Sequence, residues 1–144
     1  MNKTKLSEKE RLEYRKKAKL LFRQRAEYYA SVMGVTFNRI AIREQRTRWG
    51  SCSSKKNLNF NWKLLLAPPE VLDYVVVHEL CHLKQMNHSR AFWAEVAAIL
   101  PDYKERKKWL REHGADLMSV QPSAFIGRCR YTGNRKKGKT EWNM

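Results

Sequence analysis

Apolar positions along the chain fall into alternating helical and extended rhythms. From Ser7 to Met33 the spacing is helical: Leu12, Ala18, Leu21, Phe22, Tyr29 and Val32 fall roughly on one face, Lys and Arg cover the other, and Gly34 supplies a stop. "VTFNRIAIRE" follows, where Val35, Phe37, Ile40 and Ile42 predict a strand. "GSCSSKKN" (Gly50 to Asn57) is loop chemistry, and "LNFNWKLLL" (Leu58 to Leu66) predicts a second strand, paired with the first in an antiparallel manner.

"APPE" then opens a helix, with Pro68 or Pro69 suited to the first turn and Glu70 favourable to the dipole. This helix is predicted to run to about Met86, because Asn87 tolerates the left-handed conformation of a helix end. Ser89 can cap "RAFWAEVAAIL", which ends before Pro101, and Asp102 can cap "YKERKKWLREH", stopped by Gly114. Nothing periodic follows Pro122. The expectation is one small α+β domain over residues 1–118 and a basic, flexible tail over 119–144.

With 144 residues and 42% hydrophobic composition, one domain with one core is expected. The longest apolar runs, Leu64–Ala67 and Tyr74–Val77, are far too short to span a membrane. The basic N-terminus has no apolar stretch behind it, so a secretory signal is not expected and the cytoplasm is the predicted location. Cys52, Cys81 and Cys129 form neither a disulfide framework nor a CxxC zinc ribbon.

Charge changes the picture more. Thirty Lys and Arg against 14 Asp and Glu give a net charge of +16, which attracts polyanions. Lys3 to Arg25 holds ten basic and three acidic residues, and Arg128 to Met144 six and one. These two ends are the expected places for contact with DNA or RNA, although solvated helix faces and tails carry the same composition.

The chemistry concentrates in "VVVHELCHLKQMNHS" (Val75 to Ser89), which holds three of the four histidines. On a helix His78 and His82 project from one face and can bind one cation, while Glu79, about 100° around, can reach a water in an open coordination position. That is the logic of H-E-x-x-H, two zinc ligands and a general base. His88 follows six residues after His82, beyond the predicted helix end, and can fold back as the third ligand. This is the metzincin spacing, but Gln85 stands where metzincins have Gly, so the spacing is taken without the clan. Glu95 on the next helix is the reserve ligand, and one Zn²⁺ per chain is expected. Candidates for contacting substrate or an oxyanion are Arg46, Arg48 and Tyr74, with Tyr103 and His113 behind them. Cys52 or Cys129 can meet the metal as a thiolate, and Cys81 reads as a core residue.

The stretch from Arg43 to Leu110 carries R-x-R-W-G-S-C, N-W-x-L-x-x-x-P, D-Y-V-V-x-H-E-L-x-H, N-H-S-x-x-F-W and a Pro-Asp before the last helix. In this order they resemble the YgjP-like metallopeptidase domain, a relative of the SprT-like and WLM families. The resemblance implies a compact zincin fold, with a small sheet beside the active-site helix and an edge strand able to accept an extended peptide. It also implies zinc on His78, His82 and His88, with Glu79 as base. The expected function is zinc-dependent hydrolysis of peptides or unfolded proteins, with recruitment to bound proteins by DNA or RNA as its narrower version. The alternatives are a metal-dependent nucleotide phosphoanhydride hydrolase using Arg46 and Arg48, and a nucleic-acid-binding module with a structural zinc.

Overall fold

The computed structural model describes residues 7–45 and 47–119. Helix α1 spans Glu8–Met33 and begins in a capping box: Ser7 Oγ accepts from Glu10 N, and Glu10 returns the bond to Ser7 N. It ends at Gly34 with φ +73°, a left-handed conformation that favours glycine. The buried face is narrower than predicted. Ala18, Phe22, Ala26, Tyr29 and Ala30 are inside, whereas Leu12 and Val32 are 59% and 54% exposed, because α1 packs along one side of the domain only.

Strands β1 (Arg39–Arg43), β2 (Gly50–Cys52) and β3 (Asn57–Asn61) form one sheet in the order β1-β3-β2. Two expectations are corrected here. β1 and β3 run parallel, with Ile40 opposite Leu58 and Ile42 opposite Phe60. The segment read as loop supplies β2, which pairs antiparallel to β3 and takes the hairpin role expected of β1. A parallel pair needs a crossover, and residues 44–56 provide it. The remainder of the predicted second strand, Trp62–Leu66, is a 3-10 helix opened by Asn61, whose side chain accepts from Lys63 N.

Helix α2 (Pro69–Cys81) is capped by His82, short of the predicted Met86, and turns follow it. Ten of its 13 residues are buried. Sheet, α1 and the later helices surround it. α3 (Arg90–Ile99) starts at Ser89, whose Oγ accepts from Phe92 N, as its sequence predicts. α4 (Tyr103–Ser119) continues through Gly114, which is buried. Asp102 gives its carboxylate to Arg106 Nε at 3.0 Å instead of capping the helix.

Two clamps fix α1 to the rest. Arg25 grips Asp73 of α2 with two bonds of 2.9 Å, and Tyr29 Oη donates to the same carboxylate at 3.0 Å. Phe22 stacks on Phe60 of β3 with ring centroids 4.5 Å apart. Among the described residues no helix is long and apolar enough to cross a membrane. Of the basic tail assigned to 119–144, all but Ser119 lies outside the described residues.

Candidate metal centre

α2 carries His78 and Glu79 into the interior, where they are only 1% and 2% exposed. His82 caps the helix, and His88 sits in the connection to α3, exposed. The chain turns back after His82 through Lys84 N and Gln85 N, both donating to Cys81 O. This turn returns His88 to the helix end. One ring nitrogen from each of the three histidines lies within 4.8 Å of the others, and His82 Nε2 and His88 Nε2 are 3.2 Å apart. Two imidazoles bound tetrahedrally at about 2.0–2.1 Å would stand about 3.4 Å apart, so this pair is already at ligand spacing.

The hydrogen bonds set the tautomers in the same sense. His82 Nδ1 lies 3.1 Å from Gln85 O and donates to it, which leaves a lone pair on Nε2. His78 Nδ1 is 3.0 Å from Glu79 Oε2, while His78 Nε2 is buried without a hydrogen-bond partner. A buried imidazole nitrogen with nothing to bond is costly unless a Lewis acid completes it. Burial holds both His82 and His88 below the usual histidine range, and the neighbouring imidazoles push the same way, so both remain neutral lone-pair donors at pH 7. The three histidines therefore fit a divalent cation.

The cleft over this group has a volume of about 240 Å³ and is lined by Arg48, Gly50, Ser51, Cys52, His78, Glu79, His82, Met86 and His88. Gly50 is the residue that sequence reasoning missed. A Cβ there would lie 3.1 Å from Glu79 Cγ, 3.2 Å from Glu79 Oε2 and 3.2 Å from Asn59 O. A side chain there would force Glu79 or β2 to shift by a few tenths of an ångström. A glycine inside a strand is the available signal, but reading the segment as a loop hid it.

The backbone of β2 is arranged for contact. Asn61 N donates to Trp49 O, and Ser53 N to Asn57 O. With Ser51 opposite Asn59, alternation along an antiparallel ladder turns the N–H and C=O of Gly50 and Cys52 away from β3, onto the edge of the sheet where no described strand pairs. The approach to β2 is pinned by Asn61, which is buried and donates from Nδ2 to Gln45 O at 2.8 Å and Arg48 O at 3.2 Å.

Of the other candidates, Arg48 reaches the cleft, and Arg46 lies outside the described residues. Tyr74 is fully buried one turn before His78, ring centroids 5.8 Å apart, and does not line the cleft. Burial and then the charge of Glu79 push its phenol up, so it stays protonated. Glu95 pairs with Lys84 at 3.4 Å, apart from the three histidines. Tyr103 stacks on Trp93 and His113 on Trp109. The Cys52 thiol is raised to about 11 by burial and then by Glu79, which disfavours a thiolate. Cys81 is buried in the core, and Cys129 lies outside the described residues.

The fold has counterparts. Abylysin of Pyrococcus abyssi, solved as a metallopeptidase zymogen, is 25% identical, with a TM-score of 0.57 over 62% of this chain and 90% of its own. Jannalysin of Methanocaldococcus jannaschii, also solved as a metallopeptidase zymogen, shares the fold at 22% identity and a TM-score of 0.54, covering 62% of this chain and 92% of its own. No curated protein matches the chain significantly. The model of the YgjP-like metallopeptidase domain matches residues 2–113, more than three quarters of the sequence. An α+β fold of four helices around a mixed three-stranded sheet, three convergent histidines and this match place the chain in the YgjP-like metallopeptidase domain family.

Proposed function

We propose that the protein is a zinc-dependent metallopeptidase acting on peptides or unfolded protein segments, with one ion per chain on His78, His82 and His88 and with Glu79 as the proton carrier. The observation that carries this reading is the His78 imidazole, buried with Nε2 unpartnered, in a group where two more ring nitrogens stand at ligand spacing. Zinc bound there would supply Lewis acidity, lowering the pKa of water toward about 7 and polarising a carbonyl.

The chain's own groups supply the rest. Glu79 Oε2 accepts a proton from the attacking water and returns it to the amine that leaves. The contact with His78 Nδ1 and the close backbone of Gly50 fix the carboxylate from two sides. The outward N–H and C=O groups of Gly50 and Cys52 pair with an extended substrate and lay its carbonyl along the cleft. Arg48 offers hydrogen bonds to a substrate carboxylate or to the developing oxyanion, a role for which Arg46 remains a second candidate. Tyr74 acts through its ring contact with His78.

Three imidazoles leave a coordination position for substrate, whereas a structural zinc is closed by four protein ligands. The free thiols of Cys52 and Cys81 suit the reducing cytoplasm. Recruitment by DNA or RNA through α1 and the basic residues after 119 is supported by the +16 charge. Salt-steep binding of single-stranded DNA, lost on removal of 120–144, tests that part.

The central test is cleavage of a mixed peptide library, read by mass spectrometry. Glu79→Gln is expected to lose on the order of 10²–10⁴ in rate while retaining one zinc per chain by elemental analysis. Cleavage that survives in this variant would sink the assignment of Glu79. No cleavage by the zinc-loaded wild type would sink the peptidase reading.

A further inference from the structure

Most arginines and lysines with a defined contact on this basic protein are matched locally by acids. Arg11 meets Glu44, Arg23 meets Glu27, Arg25 meets Asp73, Lys84 meets Glu95, Arg106 meets Asp102 and Lys108 meets Glu112. Lys104, Lys107 and Arg111 of α4 share the lack of such a match with many other basic residues, but Lys107 alone of these stands over an indole that stacks on His88. Their spacing of three and four puts them on one helix face, and among the described residues none has an acidic ion-pair partner. Lys107 is half-buried, its Nζ 4.2 Å above the centre of the Trp93 ring. Trp93 in turn stacks on His88 at 5.9 Å and lies 5.7 Å from His78, so a single indole separates the ammonium from the histidine group.

We propose that this face of α4, with Trp93 as its floor, binds an acidic side chain of the peptide substrate beside the metal site. The proposal rests on the metallopeptidase reading and adds a substrate class to it. Three neighbouring cations repel one another. Burial, then Arg111 and Lys104, lower the pKa of Lys107, the direction expected of a charge held without a counter-ion. A carboxylate placed among them relieves that repulsion, while Trp93, stacked on Tyr103, holds Lys107 in place. The reach is suitable, because an extended peptide advances about 3.3 Å per residue. A side chain two or three residues from the scissile bond spans the width of one indole and its contacts.

A general effect of the +16 charge would also favour acidic peptides, so the experiment separates local from bulk charge. Pairs of fluorogenic peptides differ only in Glu or Gln, placed two or three residues to either side of the cleaved bond. The zinc-loaded full chain is expected to favour Glu about three- to fivefold in kcat/KM at one of these positions. The variant Lys104→Gln/Lys107→Gln/Arg111→Gln is expected to bring that ratio near one. The charge-matched variant Lys16→Gln/Lys17→Gln/Lys19→Gln on α1 is expected to keep it. A wild-type ratio near one, a ratio that survives the α4 changes, or equal loss in both variants would each overturn the proposal.

A turnover-free arm measures anisotropy of labelled Glu and Gln peptides on zinc-loaded Glu79→Gln protein, with and without the α4 changes. If nothing is cleaved yet the Glu peptide binds tighter through α4, the peptidase reading fails and the acidic site stands. If cleavage occurs without discrimination in either arm, the site fails alone. Equal binding of both peptides, with single-stranded DNA held through the α4 face, would assign the stripe to nucleic acid and overturn it as well.

Discussion

α1 and α2 lie side by side and share the Arg25–Asp73 clamp, yet they solve opposite problems. α1 is 26 residues long and buries five of them, so its charges remain in water at little cost. α2 is half that length and buries ten, including an imidazole and a carboxylate. A polar group on α1 needs no explanation, whereas one on α2 must be matched by something. His78 and Glu79 match each other through Nδ1 and Oε2, and what remains unmatched on His78 is the nitrogen that the proposed cation would complete. The contrast separates a helix that covers from a helix that carries chemistry.

Substitutions can break or sharpen this contrast. The largest stability effect is expected for Leu80→Ala on α2, where truncating a fully buried side chain should cost about 2–5 kcal/mol by denaturant unfolding. Gly50→Ala attacks the same helix from outside. The added methyl must push Glu79 or β2 aside, so kcat is expected to fall about tenfold or more, with zinc content unchanged and KM little moved. A full-rate Gly50→Ala enzyme would show that the carboxylate does not depend on this close approach.

On the α1 side the effects shrink. Burial pushes the Glu44 carboxyl up, yet hydrogen bonds from Arg11 and Trp62 Nε1 outweigh it and hold the carboxyl below its usual range. A lowered folded-state pKa adds stability above the ordinary value of about 4.3 and loses it as pH falls through the folded one. Glu44→Gln should therefore cost no more than about 1 kcal/mol near neutrality, and the difference should vanish toward acid. Smallest of all, Lys17→Gln on the exposed face of α1 should change stability by less than about 0.5 kcal/mol. A larger change would mean that the outer face of α1 contributes to folding.

Sequence and structure agree where a local signal is sufficient. Gly34 and Ser89 mark helix ends through bonds made within four residues, and each stands where its chemistry predicts, while the Ser7–Glu10 capping box is just as local but was not read. The spacing of His78, His82 and His88 was likewise legible, because a helix and one turn bring them together. Pairing was not. β2 has only three residues, Gly, Ser and Cys, with no β-branched side chain to mark them, and it exists because β3 lies beside it. Once β2 takes one edge of β3, β1 is left with the other, where it runs parallel. Gly114 misled for a related reason. Glycine weakens a helix by about 1 kcal/mol, but inside α4 the residue is buried and tertiary packing overrides the propensity.

The shortness of β2 has a consequence for self-association. An uncovered sheet edge invites other copies of the same chain, and long flat edges are where such stacking starts. Here the outer strand ends after three residues, turns through Ser54 and Lys55, and among the described residues leaves the N–H and C=O groups of Gly50 and Cys52 without a strand partner. That is enough backbone to hold a passing strand for a time, and too little to seed a fibril.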